Sequence, residues 1–249
     1  MRILVCKNYD EMSKKAAQII SSQVILKSDS ILGLATGSTP IGMYKNLVDM
    51  YNKGEIDFSE VKTFNLDEYY QLPKDNIQSY YYFMHKNLFN HINIKKENIN
   101  IPNGMNEDVE IECASYDEAI KNIGGVDIQV LGIGNNAHIG FNEPNDAFIK
   151  NTHLVDLKES TIEANSRFFD CIDDVPKKAV TMGIGSIFAA KKIMLLASGE
   201  GKAEAVYNTV YGDVTPQVPS SILKFHNDVI LIIDEAAATK LNKEDYKLI

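Results

Sequence analysis

The chain has 249 residues, 45% of them hydrophobic, and a formal net charge of -9. This apolar content is enough for one sizeable core, so we predict a single α/β domain over residues 1–249. The acidic balance argues against a nucleic-acid or anionic-membrane surface. The three cysteines are widely spaced without a CxxC pair, which indicates neither a disulfide framework nor a zinc site. No apolar run has the length of a membrane span or the order of a signal peptide, so a cytoplasmic protein is expected.

Six short apolar runs predict strands that are buried on both faces, as in a parallel sheet. They are Ile3–Cys6, Ile31–Ala35, Val61–Phe64, Val126–Leu131, Ile193–Ala197 and Val229–Ile233. Helical patterns between them predict right-handed crossovers. We therefore expect an open, mostly parallel, doubly wound, Rossmann-like sheet of about six or seven strands, with helices on both faces and ligands at the carboxyl ends of the strands. The less regular segment at about 145–178 is predicted to be a lid.

An anion-binding turn is predicted directly after the second strand, where Thr36–Gly42 places hydroxyl residues and a proline before a helix. Unpaired backbone N–H groups, the Ser38 and Thr39 hydroxyls and the positive end of the helix can surround a phosphate. An ordinary capping turn is the alternative. No lysine follows a second glycine as a nucleotide P-loop requires, so a phosphate monoester is favoured over ATP.

Two adjacent acids, Asp67 and Glu68, follow the third predicted strand. A carboxylate at the end of a strand, in a partly dry cleft, can act as a base that removes a proton from carbon next to a carbonyl. A helix cap or a solvated turn is the alternative. The nearby tyrosines 69, 70 and 80–82 can line a sugar pocket or simply pack.

The loop Leu131–Pro144 combines glycines with amide, imidazole and carboxylate groups after a predicted strand. His138 and Glu143 are the candidate acid/base pair, because histidine titrates near neutrality and a carboxylate can orient its ring. Solvated loop residues are the alternative. The loop also fits a GxGxxA dinucleotide pattern, but the residues after it do not read as the helix that a pyrophosphate needs. Arg167 and Lys202 are candidate phosphate ligands that, taken singly, could equally be solvated cations.

Taken together, these motifs resemble the glucosamine-6-phosphate deaminase family over nearly the whole chain. The resemblance lies in Ala35–Pro40, Thr63–Tyr69, Ser79–His85, Gly134–Pro144 and Asn165–Phe169. It implies a hydrolase and isomerase that converts glucosamine 6-phosphate to fructose 6-phosphate and ammonium without metal or cofactor. A homo-oligomer is also expected. Rival functions are a 6-phosphogluconolactonase-like hydrolase and a non-catalytic sugar-phosphate sensor.

The resemblance also implies a role for each candidate residue. Asp67 is the base of enolisation, His138 opens the sugar ring, and Glu143 and Asn136 support the histidine. The phosphate falls to Gly37, Ser38, Thr39, Arg167 and Lys202. Asn136 replaces an aspartate of some members, and Ala137 replaces the usual glycine. Where regulated members carry an arginine and a lysine for an activating sugar phosphate, this chain has His153 and Val155.

Overall fold

The computed structural model describes residues 1–166, 169 and 171–249. The strands are β1 (Arg2–Cys6), β2 (Ile31–Leu34), β3 (Lys62–Asn65), β4 (Asp67–Tyr69), β5 (Ile99–Asn100), β6 (Ile128–Gly132), β7 (His153–Asp156), β8 (Lys178–Thr181), β9 (Ile193–Ala197), β10 (Val229–Asp234) and β11 (Lys247–Leu248). The helices are α1 (Tyr9–Leu26), α2 (Ile41–Asn52), α3 (Tyr80–Asn87), α4 (Val109–Asn122), α5 (Glu159–Ser166), α6 (Ile184–Phe188) and α7 (Ala203–Val210).

The main sheet is parallel throughout. Within the described residues it has eight strands in the order β11-β1-β10-β9-β6-β2-β3-β5. The six predicted strands are all present, and the predicted doubly wound α/β fold is confirmed. The sheet is larger than the six or seven strands expected because β5 and β11 add two residues each at its edges. Such short strands leave no apolar run in a sequence.

The connections of the main sheet reverse direction between β2 and β6. From β2 the chain moves outward through β3 to β5, whereas from β6 it moves the other way through β9 and β10. The loops that leave the carboxyl ends of these two neighbouring strands therefore diverge and open a crevice. Such a switch point is where ligands bind in open α/β sheets.

A second, antiparallel sheet of β4, β8 and β7 lies beside this crevice. Its presence corrects two expectations. Asp67 begins a new strand and does not simply follow the end of β3, and it pairs with Thr181 of β8. The segment at 145–178, predicted as the least regular part of the chain, contains β7 and α5. The amide of Met182 donates to the carbonyl of Leu66 at 2.7 Å and so joins the small sheet to the chain leaving β3.

Apolar burial and helix caps hold this frame together. Every residue of β9 and β10 is buried, and full burial of one such aliphatic side chain contributes roughly 1.5–3 kcal/mol. Helix α1 begins where the Asn8 side chain accepts the Glu11 amide at 3.0 Å, and it buries Met12, Ala16 and Ile20 along one stripe. In the described part of the chain, no helix is long and apolar enough to cross a membrane.

Candidate active site

A cavity of about 910 Å³ opens at the carboxyl edge of the main sheet. Its walls are the turn after β2, the start of β4, the loop after β6, helix α5 and the turn after β9. The predicted site residues on these walls are Gly37, Ser38, Thr39, Asp67, Asn136, His138 and Lys202. Glu143 lies behind His138 and does not line the cavity. Arg167, the remaining predicted residue, lies outside the described residues.

The turn after β2 has the form that an anion site needs. Gly37 has a φ of +94°, which a residue with a side chain adopts only under strain. Helix α2 starts with Pro40 at its N-cap, and no side chain caps it. The capping alternative for this turn is therefore wrong. The Tyr9 hydroxyl instead fixes the turn, donating to the Ser38 carbonyl at 3.1 Å and accepting the Gly42 amide at 2.8 Å.

The two adjacent acids have different environments. Asp67 is 5% exposed and lines the cavity, and burial, together with the charge of Glu68, raises its pKa to about 8. Glu68 accepts the amides of Tyr69, Tyr80 and Tyr81 at 2.8–2.9 Å and so caps the start of α3. Burial raises the pKa of Glu68 to about 7 although these three bonds act to lower it. The helix-cap alternative therefore describes Glu68, while Asp67 is the carboxyl group that faces the cavity.

His138 and Glu143 come together as the sequence predicts. The imidazole Nδ1 lies 3.3 Å from Glu143 Oε2, an ion-pair distance, although it makes no directed hydrogen bond. Asn136 Nδ2 donates to the same oxygen at 2.7 Å, and the Thr161 hydroxyl donates to Oε1. Burial acts to raise the pKa of Glu143, but the hydrogen bonds and the charge of His138 outweigh it, so this pKa is lowered. The carboxylate is thus kept ionised beside the ring.

The backbone of the loop after β6 brings the imidazole into the cavity. A Cβ on Gly134 would lie 2.3 Å from His138 Cε1, so the ring needs a glycine beneath it. Ala137 takes a φ of +65°, a left-handed conformation that costs a residue with a side chain about 1–2 kcal/mol. From residue 133 to residue 152 the chain forms no helix, as the sequence predicts for His138–Pro144.

Lys202 reaches the cavity from the turn after β9. Its Nζ donates to Asn135 Oδ1 at 2.7 Å. Gly199, at a φ of +89°, begins this turn, and its amide donates to both carboxylate oxygens of Asp234 at 3.0 and 3.1 Å. Asp234 is a positioning residue that the sequence analysis missed. The sequence pattern that could have identified Asp234 is an acid directly after an apolar run, the same pattern that made Asp67 a candidate.

Helix α5 supplies further cavity residues that the sequence analysis missed, namely Ser160, Thr161, Glu163 and Asn165. Asn165 Nδ2 donates to the Tyr69 hydroxyl at 3.0 Å. The sequence left two roles open for Tyr80, lining the pocket and packing, and the structure shows both. Tyr80 lines the cavity and stacks on Phe141 with ring centroids 6.1 Å apart. Over the residues described, no cluster of three or more His, Cys, Asp and Glu side chains is placed to hold a metal ion.

A parallel α/β fold with an anion turn, a buried carboxyl group and an imidazole–carboxylate pair in one cavity defines an enzyme-like site for a small phosphorylated ligand. The family model for glucosamine-6-phosphate isomerases/6-phosphogluconolactonase matches residues 7–231. The chain belongs to this family.

Known relatives cover the whole chain. It is 68% identical to a glucosamine-6-phosphate deaminase of Clostridium botulinum (strain Alaska E43 / Type E3) and 67% identical to one of Clostridioides difficile (strain 630), each over 100% of both chains. A solved structure described as a monomeric glucosamine-6-phosphate deaminase is 45% identical, with a TM-score of 0.94 over 96% of this chain and 99% of that one. A 6-phosphogluconolactonase from Trypanosoma cruzi, 18% identical with a TM-score of 0.76 over 97% of both chains, shares the fold.

These comparisons confirm the predicted family and favour an isomerase and deaminase. They do not support the additional label of hydrolase. The predicted homo-oligomer stays a prediction.

Proposed function

We propose that the chain catalyses ring opening, aldose–ketose isomerisation and deamination of glucosamine 6-phosphate, giving fructose 6-phosphate and ammonium. The observation that carries the proposal is the pairing of two proton-transfer groups in one cavity. A buried carboxyl group, Asp67, and an imidazole, His138, both face the space beside an anion-binding turn. The high identity to deaminases over the full chain length supports the same substrate.

The substrate phosphate binds at Gly37, Ser38 and Thr39, with Lys202 as a cation from the turn after β9. By family resemblance, Arg167 adds a second cation. Charge-assisted hydrogen bonds to a phosphate are among the stronger polar contacts. Because the phosphate is remote from the reacting carbons, its binding energy serves to orient C1 and C2 between the two proton-transfer groups.

His138 opens the ring. It takes the proton of the anomeric hydroxyl and returns one to the ring oxygen as the bond from C1 to that oxygen breaks, which leaves an aldehyde. The ionised Glu143 stabilises the imidazolium that forms in between. Asn136 donates to Glu143 and, through its Oδ1, accepts the His138 amide at 3.2 Å. An amide at position 136 therefore supports the relay by hydrogen bonding and adds no second negative charge.

Asp67 then moves the substrate proton. Its carboxylate removes the C2 proton, which the aldehyde and the amino group make acidic, and the electron pair forms an enolamine. Protonation at C1 gives a ketose imine, and water cleaves the carbon–nitrogen bond to release ammonium. A pKa of about 8 makes Asp67 a stronger base than an ordinary carboxylate. The cationic amino group of the substrate helps to ionise it on binding.

Helix α5 and the segment around it form the lid in this proposal, because four residues of α5 line the cavity. A lid that closes over the substrate excludes water while the enolamine exists.

A phosphorylated sugar does not cross membranes freely, so we place the reaction in the cytoplasm.

Release of ammonium from glucosamine 6-phosphate by the purified protein tests the proposal, with Asp67→Asn as the inactive control. Solvent deuterium is expected at C1 of the product. Hydrolysis of 6-phosphogluconolactone without ammonium release would favour the rival hydrolase. Binding of glucosamine 6-phosphate without turnover would favour a sensor.

A further inference from the structure

Helix α5 makes side-chain hydrogen bonds to a residue near each proton-transfer group. Near its start, the Thr161 hydroxyl donates to Glu143 Oε1, the carboxylate behind His138. One turn later, Asn165 Nδ2 donates to the Tyr69 hydroxyl at 3.0 Å, on the strand that carries Asp67. Residues four apart lie on one face of a helix. One face of α5 therefore touches the supports of both groups.

The Thr161 contact is the only one of these that reaches the acid/base pair. Glu143 Oε2 is occupied by Asn136 and His138 from its own loop, whereas Oε1 receives its donor from α5. Thr161 is 5% exposed, so water does not readily replace its hydroxyl. Loss of this donor would leave a buried carboxylate oxygen without its partner, which costs more than the mean net value of a hydrogen bond.

We propose that Thr161 is a positioning residue that fixes the orientation and ionisation of Glu143, so that seating α5 over the substrate and preparing His138 for ring opening are a single event. This inference rests on the proposed function for the task of His138. It adds a residue that acts through Glu143 and a reason why the closing helix and the acid/base loop work together.

The electrostatic surroundings of Glu143 agree with this role. The hydrogen bond from Thr161 is one of the interactions that lower the pKa of Glu143 against the effect of burial. Its removal should therefore raise this pKa and weaken the ion pair. On the active-site side, the titratable groups that share a cavity with His138 are Asp67, Tyr80, Glu163 and Lys202. On the other side, those that share a cavity with Glu143 are His153, Asp156 and Lys158.

Kinetics of Thr161→Val, Thr161→Ser and Asn165→Ala test the proposal. Valine keeps the shape of threonine without the hydroxyl, and we expect about a 10- to 100-fold loss of kcat with less than about a threefold change in KM, the size of one hydrogen bond to a charged group. Serine restores the hydroxyl and should recover most of kcat. Asn165→Ala removes the other α5 contact and should act mainly on KM. Equal losses in Thr161→Val and Thr161→Ser would overturn the proposal.

Ring opening can be isolated in the Asp67→Asn background, where enolisation stops. There the protein should still speed the exchange between the α and β anomers of glucosamine 6-phosphate above the buffer rate, measured by NMR exchange spectroscopy. Adding Thr161→Val should reduce this acceleration about 10- to 100-fold. An unchanged exchange rate would show that Thr161 does not act on His138.

A measurement that needs no turnover separates this inference from the proposed function. Carboxyl carbon NMR follows the titration of Glu143, assigned with Glu143→Gln. Thr161→Val should raise the apparent pKa of Glu143, while Thr161→Ser and Asn165→Ala leave it in place. An equal rise in Asn165→Ala would assign the effect to helix seating and overturn a specific role for Thr161. If the unaltered protein releases no ammonium, the proposed function fails, and this titration still decides the Thr161 contact.

Discussion

Replacing Asp67 with asparagine is expected to stop the reaction and to stabilise the fold. Asparagine fills the same space but cannot accept the C2 proton, so turnover should be lost while sugar-phosphate binding remains. The gain in stability has a separate cause. Asp67 is 5% exposed, and burial beside Glu68 raises its pKa to about 8. An amide carries no charge that burial could penalise.

The size of the stabilisation depends on pH. A carboxyl group with a raised pKa holds its proton more tightly in the folded state, so stability falls as pH rises between the unfolded and folded pKa values. For Asp67 this window extends from the ordinary pKa of 3.8 to about 8. Between these values the unfolded chain releases the proton while the folded protein keeps it. At 1.36 kcal/mol per pKa unit, this difference lowers the free energy of unfolding by about 3 kcal/mol at pH 6 and about 5 kcal/mol at pH 8. Asp67→Asn should gain these amounts, and less than about 1 kcal/mol at pH 4.

Urea unfolding of both proteins at pH 4, 6 and 8 measures the difference in the free energy of unfolding. The matched control is Asp29→Asn, which changes an exposed carboxylate and should give no gap that grows with pH. A variant that is equally or less stable at pH 8 would refute the view that Asp67 is held at a cost to the fold. A stable variant that still releases ammonium would remove Asp67 from the mechanism.

Two further predictions concern pH and phosphate. For the unaltered protein, kcat/KM should rise with pH with an apparent pKa of about 8, since kcat/KM reports ionisation of the free enzyme. The apparent pKa in the kcat profile should be lower, because the bound cationic substrate favours ionised Asp67. An apparent pKa that Asp67→Glu leaves unchanged would contradict this assignment. Lys202→Ala should raise KM and the Kd of inorganic phosphate about 10- to 100-fold, the worth of one charge-assisted hydrogen bond. Lys192→Ala, at the opposite end of β9, is its control, and a loss of kcat at constant KM would contradict the phosphate role of Lys202.

The sequence predicts the parts of this protein that depend on local patterns. Continuous apolar runs mark β1, β2, β9 and β10, because strands buried on both faces need no alternation. The small sheet was not predicted because Asp67–Tyr69 has only three residues and no apolar pattern. It is a strand only because β8, more than 100 residues later, supplies the pairing partner. Long-range pairing of this kind leaves no periodic signal.

The same limit applies within the site. His138 and Glu143 lie in one loop and were predicted together, since their separation of five residues keeps them close. Without the family resemblance, the separate roles of Asp67 and Glu68 were not predictable, because two of the three amides that Glu68 accepts belong to a helix that starts 12 residues later. Thr161 gave no signal at all. A single threonine in a helical pattern is ordinary, and its partner Glu143 is 18 residues away.

The last prediction is that N-acetylglucosamine 6-phosphate does not activate this protein. A second cavity of about 280 Å³ lies on the far side of Glu143, and its walls include His153, Val155, Asp156 and Lys158. By family resemblance, regulated members hold the phosphate of their activator with an arginine and a lysine, at the places that correspond to His153 and Val155 of this chain. Here Val155 carries no charge and packs against an apolar cluster of Tyr69, Phe141, Leu157 and Ala179. A ring nitrogen of His153 lies 2.9 Å from the Asn151 carbonyl oxygen, within hydrogen-bond distance.

A phosphate in this second cavity would therefore meet Lys158 as its main cation, beside the opposing charge of Asp156. Histidine also lacks the permanent charge and planar donor fork with which arginine holds a phosphate. An effector shifts a protein between states only through different affinity for them, so a ligand that is hardly bound shifts nothing. Initial rates against glucosamine 6-phosphate should follow superimposable hyperbolic curves with and without the acetylated sugar phosphate. A sigmoidal curve that the effector makes hyperbolic would show that Lys158 and His153 suffice for an activating site.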